Sequence, residues 1–332
     1  MATRLHEQLK EKYKRVSGSV DLGLMANTAL YVVGTGASGS FIESFARLGV
    51  KRFVLFDPDV VEAKNLTAQN FTHRDVGRKK VEAMRDRIID VEFEPGNLDV
   101  PALSIDTFGD FLQLSDVALK NLIESDQAAG RTVVLVMATD LHPAQARANR
   151  ISLLHKIPTF WVGIYRGAKA GEIVFLEPRT LDVSWARMGC YRCLTASRYA
   201  WWDQNLREDF LAGKVSGAGV SGGLPMAAGV IDNMLAHLII GAIHVEDVTN
   251  THAKLYRRLC REQRNLIQIQ LDQDYATPGD DPFADITGKH VVTFKTAFQS
   301  MSTVDDCPDC HATFAAATWE HTNYLDDERE VA

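Results

Sequence analysis

No block of lysine and arginine appears anywhere in the 332-residue chain, whose formal net charge is -7. The electrostatic footprint of a nucleic-acid-binding protein is therefore missing. The opening residues, Met1-Ala-Thr-Arg-Leu-His-Glu-Gln-Leu-Lys10, lack the apolar core of a secretion signal. A membrane-spanning helix needs roughly 20 predominantly apolar residues. The most apolar run, from Leu224 to Ile243, is interrupted by Asp232, Asn233 and His237, and reads as a buried core helix. Internal repeats and a Pro/Gly-rich linker are also absent. Cysteine is scarce at five residues, four of them in two Cys-x-x-Cys pairs. Without a secretion signal, such pairs read as metal ligands in a reducing compartment and not as disulfides. These absences lead us to expect a soluble cytoplasmic protein with neither nucleic acid nor a membrane as partner. Apolar residues at 46% and charged residues at 24% suit a chain that buries a large core.

The pairs are Cys190-Tyr-Arg-Cys193 and Cys307-Pro-Asp-Cys310. Each can fold into a tight knuckle, and four thiolates together close a tetrahedral zinc shell. Far upstream, the apolar run Leu30-Tyr-Val-Val33 reads as a buried parallel strand ending at Gly34-Thr-Gly36-Ala-Ser-Gly39. A helix from Ser40 to Leu48 and a second strand, Arg52-Phe-Val-Leu-Phe56, complete a βαβ unit. Small residues at such a turn let backbone amides approach phosphates at a helix N-terminus. Asp57 lies eighteen residues past Gly39, where an acidic residue commonly binds ribose hydroxyls. This fingerprint fits a nicotinamide cofactor as well as ATP.

Further along, helical patterning runs from Lys79 to Ile89, and Thr132-Val-Val-Leu-Val-Met137 is another buried strand leading to Ala138-Thr-Asp140. A helix from Pro143 to His155 follows, then the strand-like Thr159-Phe-Trp-Val-Gly163 and Ile173-Val-Phe-Leu176. Residues 94–131 show little periodicity, 211–223 are glycine-rich, and 272–289 hold five aspartates around Pro278-Gly279. Alternating strands and helices imply an α/β fold, a Rossmann-like, mostly parallel sheet with helices on both faces and a C-terminal, zinc-stapled extension. We expect a helical segment at 1–29, an ATP-binding domain at 30–245 and an extension at 246–332 carrying the second knuckle, integrated as one domain.

The stretch Asp57-Pro-Asp59-Val-Val, Asn65-Leu-Thr-Ala-Gln69 and Asp75-Val-Gly77-Arg-Lys-Lys80 resembles the ThiF/MoeB-type activating enzymes, which adenylate ubiquitin-like proteins. Ala138-Thr-Asp140, Met188-Gly-Cys190-Tyr-Arg-Cys193, Gly219-Val-Ser-Gly-Gly-Leu-Pro225 and Cys307-Pro-Asp-Cys310 continue the resemblance in the same order, over about residues 5–312. The resemblance implies that Gly34, Gly36, Gly39, Asp57, Asp59, Asn65 and Gln69 form the nucleotide site, with Asp57 on the ribose. It further implies that Lys80 neutralises ATP phosphates and that Asp140 holds magnesium. The plainer readings are a solvated surface lysine for Lys80 and a helix N-cap for Asp140. Function by resemblance is ATP-dependent adenylation of the C-terminal carboxylate of a small ubiquitin-like or sulfur-carrier protein ending in Gly-Gly, by a homodimer using ATP, magnesium and zinc. Adenylation of a ribosomal peptide, or a nucleotide-binding scaffold without catalysis, are the alternatives; a nicotinamide-dependent dehydrogenase is more distant.

Three positions depart from the family pattern. Ala68 stands where an arginine is usual, and Leu141 follows Asp140 where an asparagine is usual. Leu194 to Ala218 contain no cysteine, so a covalent thioester route lacks its usual nucleophile. We expect Arg4 or Arg15 of the N-terminal segment to replace the missing cation. Cys260, flanked by Arg257, Arg258, Arg261 and Arg264, has surroundings that can favour a thiolate. The spacing of Leu255, Leu259 and Leu266 instead suggests a packed helix face, where a small buried cysteine is inert.

Overall fold

The computed structural model describes residues 11–36, 38–92, 102–179, 188–214, 224–272, 295–300, 303–311 and 321–323. They group into two compact units, Met1–Val134 with Asp232–Arg257, and Leu135–Ile231 with Arg258–Ala332. Arg4, the glycine-rich stretch from 215 to 223 and most of the aspartate-rich stretch, from 273 onward, lie outside the described residues.

In the first unit, α1 (Leu22–Ala26) leads into β1 (Thr28–Val33), every residue of which is buried. All five residues of β2 (Arg52–Phe56) are buried as well. Parallel strands covered on both faces need such continuous apolar runs, and β1 and β2 pair in parallel from Ala29↔Arg52 to Val33↔Phe56. β3 (Ser104–Phe108) adds in parallel to β2, and the strand order is β3-β2-β1-β4, with β4 spanning Thr132–Met137. Between the strands run α2 (Gly39–Arg47), α3 (Lys80–Val91) and α4 (Asp116–Ala128). α2 buries Phe41, Ile42 and Phe45, and α3 buries Val81, Met84 and Ile88. These are the i, i+3, i+4 spacings of a helix that packs one side.

The second unit continues from β4 with β5 (Thr159–Ile164), β6 (Ala170–Leu176), β7 (Leu266–Gln270) and β8 (Thr296–Gln299) in sequence order. β4 and β5 are parallel, whereas β5 to β8 form an antiparallel meander. α5 (His142–His155) connects β4 to β5; α6 (Tyr191–Leu194), α7 (Ala196–Asn205) and α8 (Arg207–Leu211) follow β6. Two further helices, α9 (Pro225–Ile243) and α10 (Thr251–Arg261), precede β7 in the chain, and most of their residues belong to the first unit. α9 is long and apolar enough to cross a membrane by length and composition alone, but 61% of its apolar window is buried inside the protein. This α/β architecture carries the Rossmann-like parallel sheet expected from the alternating elements.

Candidate functional site

β1 ends at Gly34, whose φ of 91° lies in the left-handed region that favours glycine. The Gly34 amide donates to the carbonyl of Phe56 at 2.8 Å, fastening the ends of β1 and β2 together. Asp57 follows immediately. Its Oδ2 accepts from the Thr35 amide at 2.8 Å and the Thr35 hydroxyl at 3.1 Å, and its Oδ1 from the Asp59 amide at 3.0 Å. A carboxylate oxygen has two lone pairs, so Oδ1 keeps capacity for a further hydroxyl donor. Burial raises the Asp57 pKa, and the Lys80 charge with the Thr35 and Asp59 amides partly offsets that effect.

Gly36 faces Gln69 so closely that an added Cβ would sit 2.6 Å from Gln69 Oε1. That oxygen is buried and, among the described residues, has no hydrogen-bond partner. Glycine at 36 thus lets the Gln69 side chain lie against the turn, and the unmet acceptor it brings there is the observation that makes this turn fit a ligand with donor groups, as a nucleotide has. At Gly39 a Cβ would lie 2.8 Å from Met84 Cε and 3.1 Å from Asn70 Cβ, so this glycine serves the contact between α2 and α3.

Asn65 does not open toward solvent. It is buried, and its Oδ1 accepts from the Glu62 amide at 2.8 Å in a capping box around the 3-10 turn Ala63–Thr67. Gln69 is then set by its own amide donating to Asn65 O at 2.8 Å. Asp75 acts similarly, with Oδ2 accepting from the amide and the hydroxyl of Thr72, both at 2.8 Å. Next, Gly77 at φ 86° turns the chain back, and a Cβ there would meet nothing, so conformation and not space selects glycine. The returning strand bonds Val61 N to Arg78 O at 2.8 Å and Lys80 N to Asp59 O at 3.0 Å. The spacing Asp-x-Gly-x-x-Lys thus delivers Lys80 beside Asp59. Lys80 is 6% exposed, which removes the reading of a solvated surface lysine, and its Nζ donates to Asp59 Oδ2 at 2.8 Å. The structure therefore brings Gly34, Gly36, Gly39, Asp57, Asp59, Asn65, Gln69 and Lys80 into one region of the first unit. Thr35, which holds Asp57, carries no sequence signal because its amide does much of the work.

Asp140 belongs to the second unit, exposed beyond the end of β4. It is not the N-cap of α5: Leu141 takes that position, and no side chain caps the helix there. Leu141 N instead donates to Thr139 Oγ1 at 3.2 Å. Among the described residues the Asp140 carboxylate has no hydrogen-bond or ion-pair partner, so its oxygens suit a hard cation such as magnesium.

The four cysteines of the two pairs are all free and buried, and their sulfurs lie within 4.8 Å of one another. The closest approaches are 3.8 Å for Cys190–Cys193, 3.7 Å for Cys190–Cys307 and 3.4 Å for Cys193–Cys310. These far exceed a disulfide bond of about 2.05 Å and approach the sulfur spacing of a tetrahedron with Zn–S of ~2.3 Å. Cys190 opens the helical turn α6, with Leu194 N donating to its carbonyl at 3.1 Å; His311 N closes the second knuckle on Cys307 O at 3.0 Å. Residues the spacing did not single out orient this centre. Asn149 Nδ2 donates to Asp309 Oδ2 at 2.7 Å and lies 3.5 Å from Cys190 Sγ, while its Oδ1 accepts from Tyr191 N at 3.0 Å. Arg150 Nε reaches Asp309 Oδ1 at 3.2 Å. Such partners fix metal ligands in place. Cys260, on α10, is fully buried.

A family model described as the ThiF family matches residues 13–269. Ubiquitin-like modifier-activating enzyme 5 of Drosophila persimilis is 29% identical over 184 residues, covering 52% of this chain and 45% of its own length. The protein of the same name from Caenorhabditis elegans is 26% identical over 171 residues, covering 49% and 36%. The chain thus spans less than half the length of these relatives. Among solved structures, E. coli MccB with ATP is similar at 17% identity and a TM-score of 0.51, covering 87% of this chain and 68% of that one. The microcin C7 biosynthetic enzyme MccB, in complex with N-formylated MccA, gives a TM-score of 0.52 at 16% identity, covering 87% and 69%. At these identities the likeness is one of fold.

Proposed function

The chain belongs to the ThiF family, and on that footing we propose that it adenylates the C-terminal carboxylate of a small ubiquitin-like or sulfur-carrier protein ending in Gly-Gly. The observation that carries this reading is the buried Gln69 Oε1 packed against Gly36, in the same unit as Asp57 and the Lys80–Asp59 pair. A carboxylate oxygen attacks the α-phosphorus of ATP, the new C–O–P link forms, and the bond to the β-phosphate breaks to release pyrophosphate. No proton has to move. An anion approaches an anion, so the site has to supply positive charge and positioning. Lys80, buried and already held at one face by Asp59, provides a fixed cation. Asp57 positions the ribose through Oδ1. Magnesium, when bound, neutralises phosphate charge, and Asp140 is the residue that would hold it. Ala68 leaves a cation to be found elsewhere; Arg15, exposed in the structure, and Arg4 are the candidates, acting within a homodimer. The four cysteines would hold a structural zinc, since all four positions are filled by sulfur and none is left open for chemistry. We place the enzyme in the cytoplasm.

The adenylate is handed to a separate acceptor. Leu194 to Ala218 hold no cysteine, the knuckle cysteines face one another, and Cys260 is buried. Exchange of labelled pyrophosphate into ATP, dependent on a Gly-Gly-terminated carrier, tests the reading; exchange supported only by a short peptide would move the substrate class. The departures at Ala68 and Leu141 favour one other reading, a nucleotide-binding scaffold, and nucleotide binding without exchange under any acceptor would establish it.

A further inference from the structure

α9 carries a single Asp, Glu, Lys or Arg in its 19 residues, and this residue, Asp232, is 6% exposed. A lone carboxyl buried in an apolar helix is costly when ionised unless a cation or several donors meet it. Among the described residues the carboxyl has one hydrogen-bond partner: Ser40, whose Oγ lies 2.5 Å from Asp232 Oδ2. Ser40 sits in the first turn of α2, directly after Gly39 of the nucleotide turn, and is itself exposed. The other titratable groups on α2 and α9 are engaged elsewhere. Glu43 of α2 pairs with Arg47 and Arg87 and accepts from Asn70. His237 of α9 is bonded to His252 of α10, and His244, beyond the end of α9, to Ile240 O and the Asp21 amide.

We propose that the Ser40–Asp232 pair couples nucleotide binding to proton uptake, Asp232 acting as a positioning residue that decides where the Ser40 hydroxyl hydrogen points. When the carboxyl is ionised, that hydrogen is committed to Asp232, and a negative charge stands beside the turn that receives phosphates. When the carboxyl is protonated it donates to Ser40 Oγ, and the Ser40 hydrogen is released toward an anion. A nucleotide therefore favours the neutral pair through one added hydrogen bond and one removed repulsion. Burial raises the Asp232 pKa to about 7, with the Ser40 hydrogen bond the opposing influence, so both states are populated near neutrality. This inference rests on the nucleotide reading of the site.

The test is calorimetric titration of the full chain with α,β-methylene-ATP in buffers of differing ionisation enthalpy, which counts protons taken up per nucleotide. Near neutral pH the wild-type chain should take up roughly half a proton more than Asp232→Asn. The comparison cancels the ionisation of the nucleotide's own phosphates. Ser40→Ala removes the bond that favours the charged form, so Asp232 is already neutral at pH ~7 and uptake should vanish there but reappear about one pH unit higher. Asp232→Asn should show no such recovery. Carboxyl carbon NMR of the unliganded wild type, assigned with Asp232→Asn, should show a group titrating near neutrality. Equal uptake in wild type and Asp232→Asn, or a carboxyl titrating in the ordinary range near ~4, overturns the coupling. Failure of all three chains to bind the analogue at any pH overturns the nucleotide reading and the coupling with it.

Discussion

The four-cysteine centre and the glycine turn are built in opposite ways. Beside the cysteines, buried polar side chains bond one another: Asn149 bridges Asp309, Tyr191 and Cys190, and Arg150 holds Asp309 from α5. Around the glycine turn, one face of the network is left open. Among the described residues Gln69 Oε1 is buried without a partner and Lys80 is ion-paired with the exposed Asp59 alone, while Asp57 retains acceptor capacity on Oδ1. A centre whose ligands are held by mutually bonded side chains contributes to folding, whereas an unmet buried acceptor beside a glycine turn suits a ligand that brings a donor. The same chain thus shows what distinguishes a staple from a site.

That contrast breaks most visibly at the staple. Cys307→Ser, or removal of metal by a strong chelator, should lower thermal stability so far that the second unit loses cooperative unfolding, because structural metal binding is folding free energy. Elemental analysis of the untreated protein should give about one zinc per chain. A metal-free protein that unfolds as well as the native one would place the cysteines outside any staple.

At the open site the expected effect is on rate and not on fold. Lys80→Ala should reduce pyrophosphate exchange by about 10²–10³-fold, the usual loss for one charge-stabilising group. Its unfolding midpoint should stay close to that of the wild type, because the partner Asp59 is exposed and not left buried alone. Unchanged exchange would remove Lys80 from the chemistry.

The smallest effect sharpens the comparison through pH. The Asp232 pKa is about 7 in the folded chain against 3.8 for the ordinary group. The folded state therefore binds the extra proton between those values, and the stability that proton confers is present at low pH and lost as pH rises from about 4 to about 7. Asp232→Asn should remove this component, on the order of a few kcal/mol, so that its stability relative to wild type increases over the same interval. Parallel pH profiles of urea unfolding for the two chains would deny that Asp232 is neutral in the fold.

Much of this was legible before any coordinates. Leu30 to Val33 and Arg52 to Phe56 are continuous apolar runs, and only strands covered on both sides are written that way. The candidate residues Asp57, Asp59, Gln69 and Lys80 were named from the family resemblance, and the left-handed Gly77 with the capping Asp75 shows how fixed spacing brings Lys80 back beside Asp59. β3 and α4 were not legible. β3 is an edge strand that stays half exposed, so its residues Ser104, Asp106 and Thr107 carry no apolar alternation, and α4 buries only Leu119, Ile123 and Asp126. The antiparallel pairing of β6 to β8 depends on contacts far apart in sequence, such as Gly171 with Ile269. Asn149 and Asp309 were invisible for the same reason, since 160 residues separate them. The helix-cap role for Asp140 failed because α5 begins one residue later than a cap there requires.

The central claim is that the glycine turn activates a carboxylate with ATP, and mass spectrometry of the carrier tests it most directly. After incubation of the full chain with ATP, magnesium and a Gly-Gly-terminated carrier, a rapidly quenched sample should contain carrier bearing one AMP on its C-terminus, with pyrophosphate released in equal amount. A carrier of unchanged mass, with ATP intact or cleaved only to ADP and phosphate, would contradict the account.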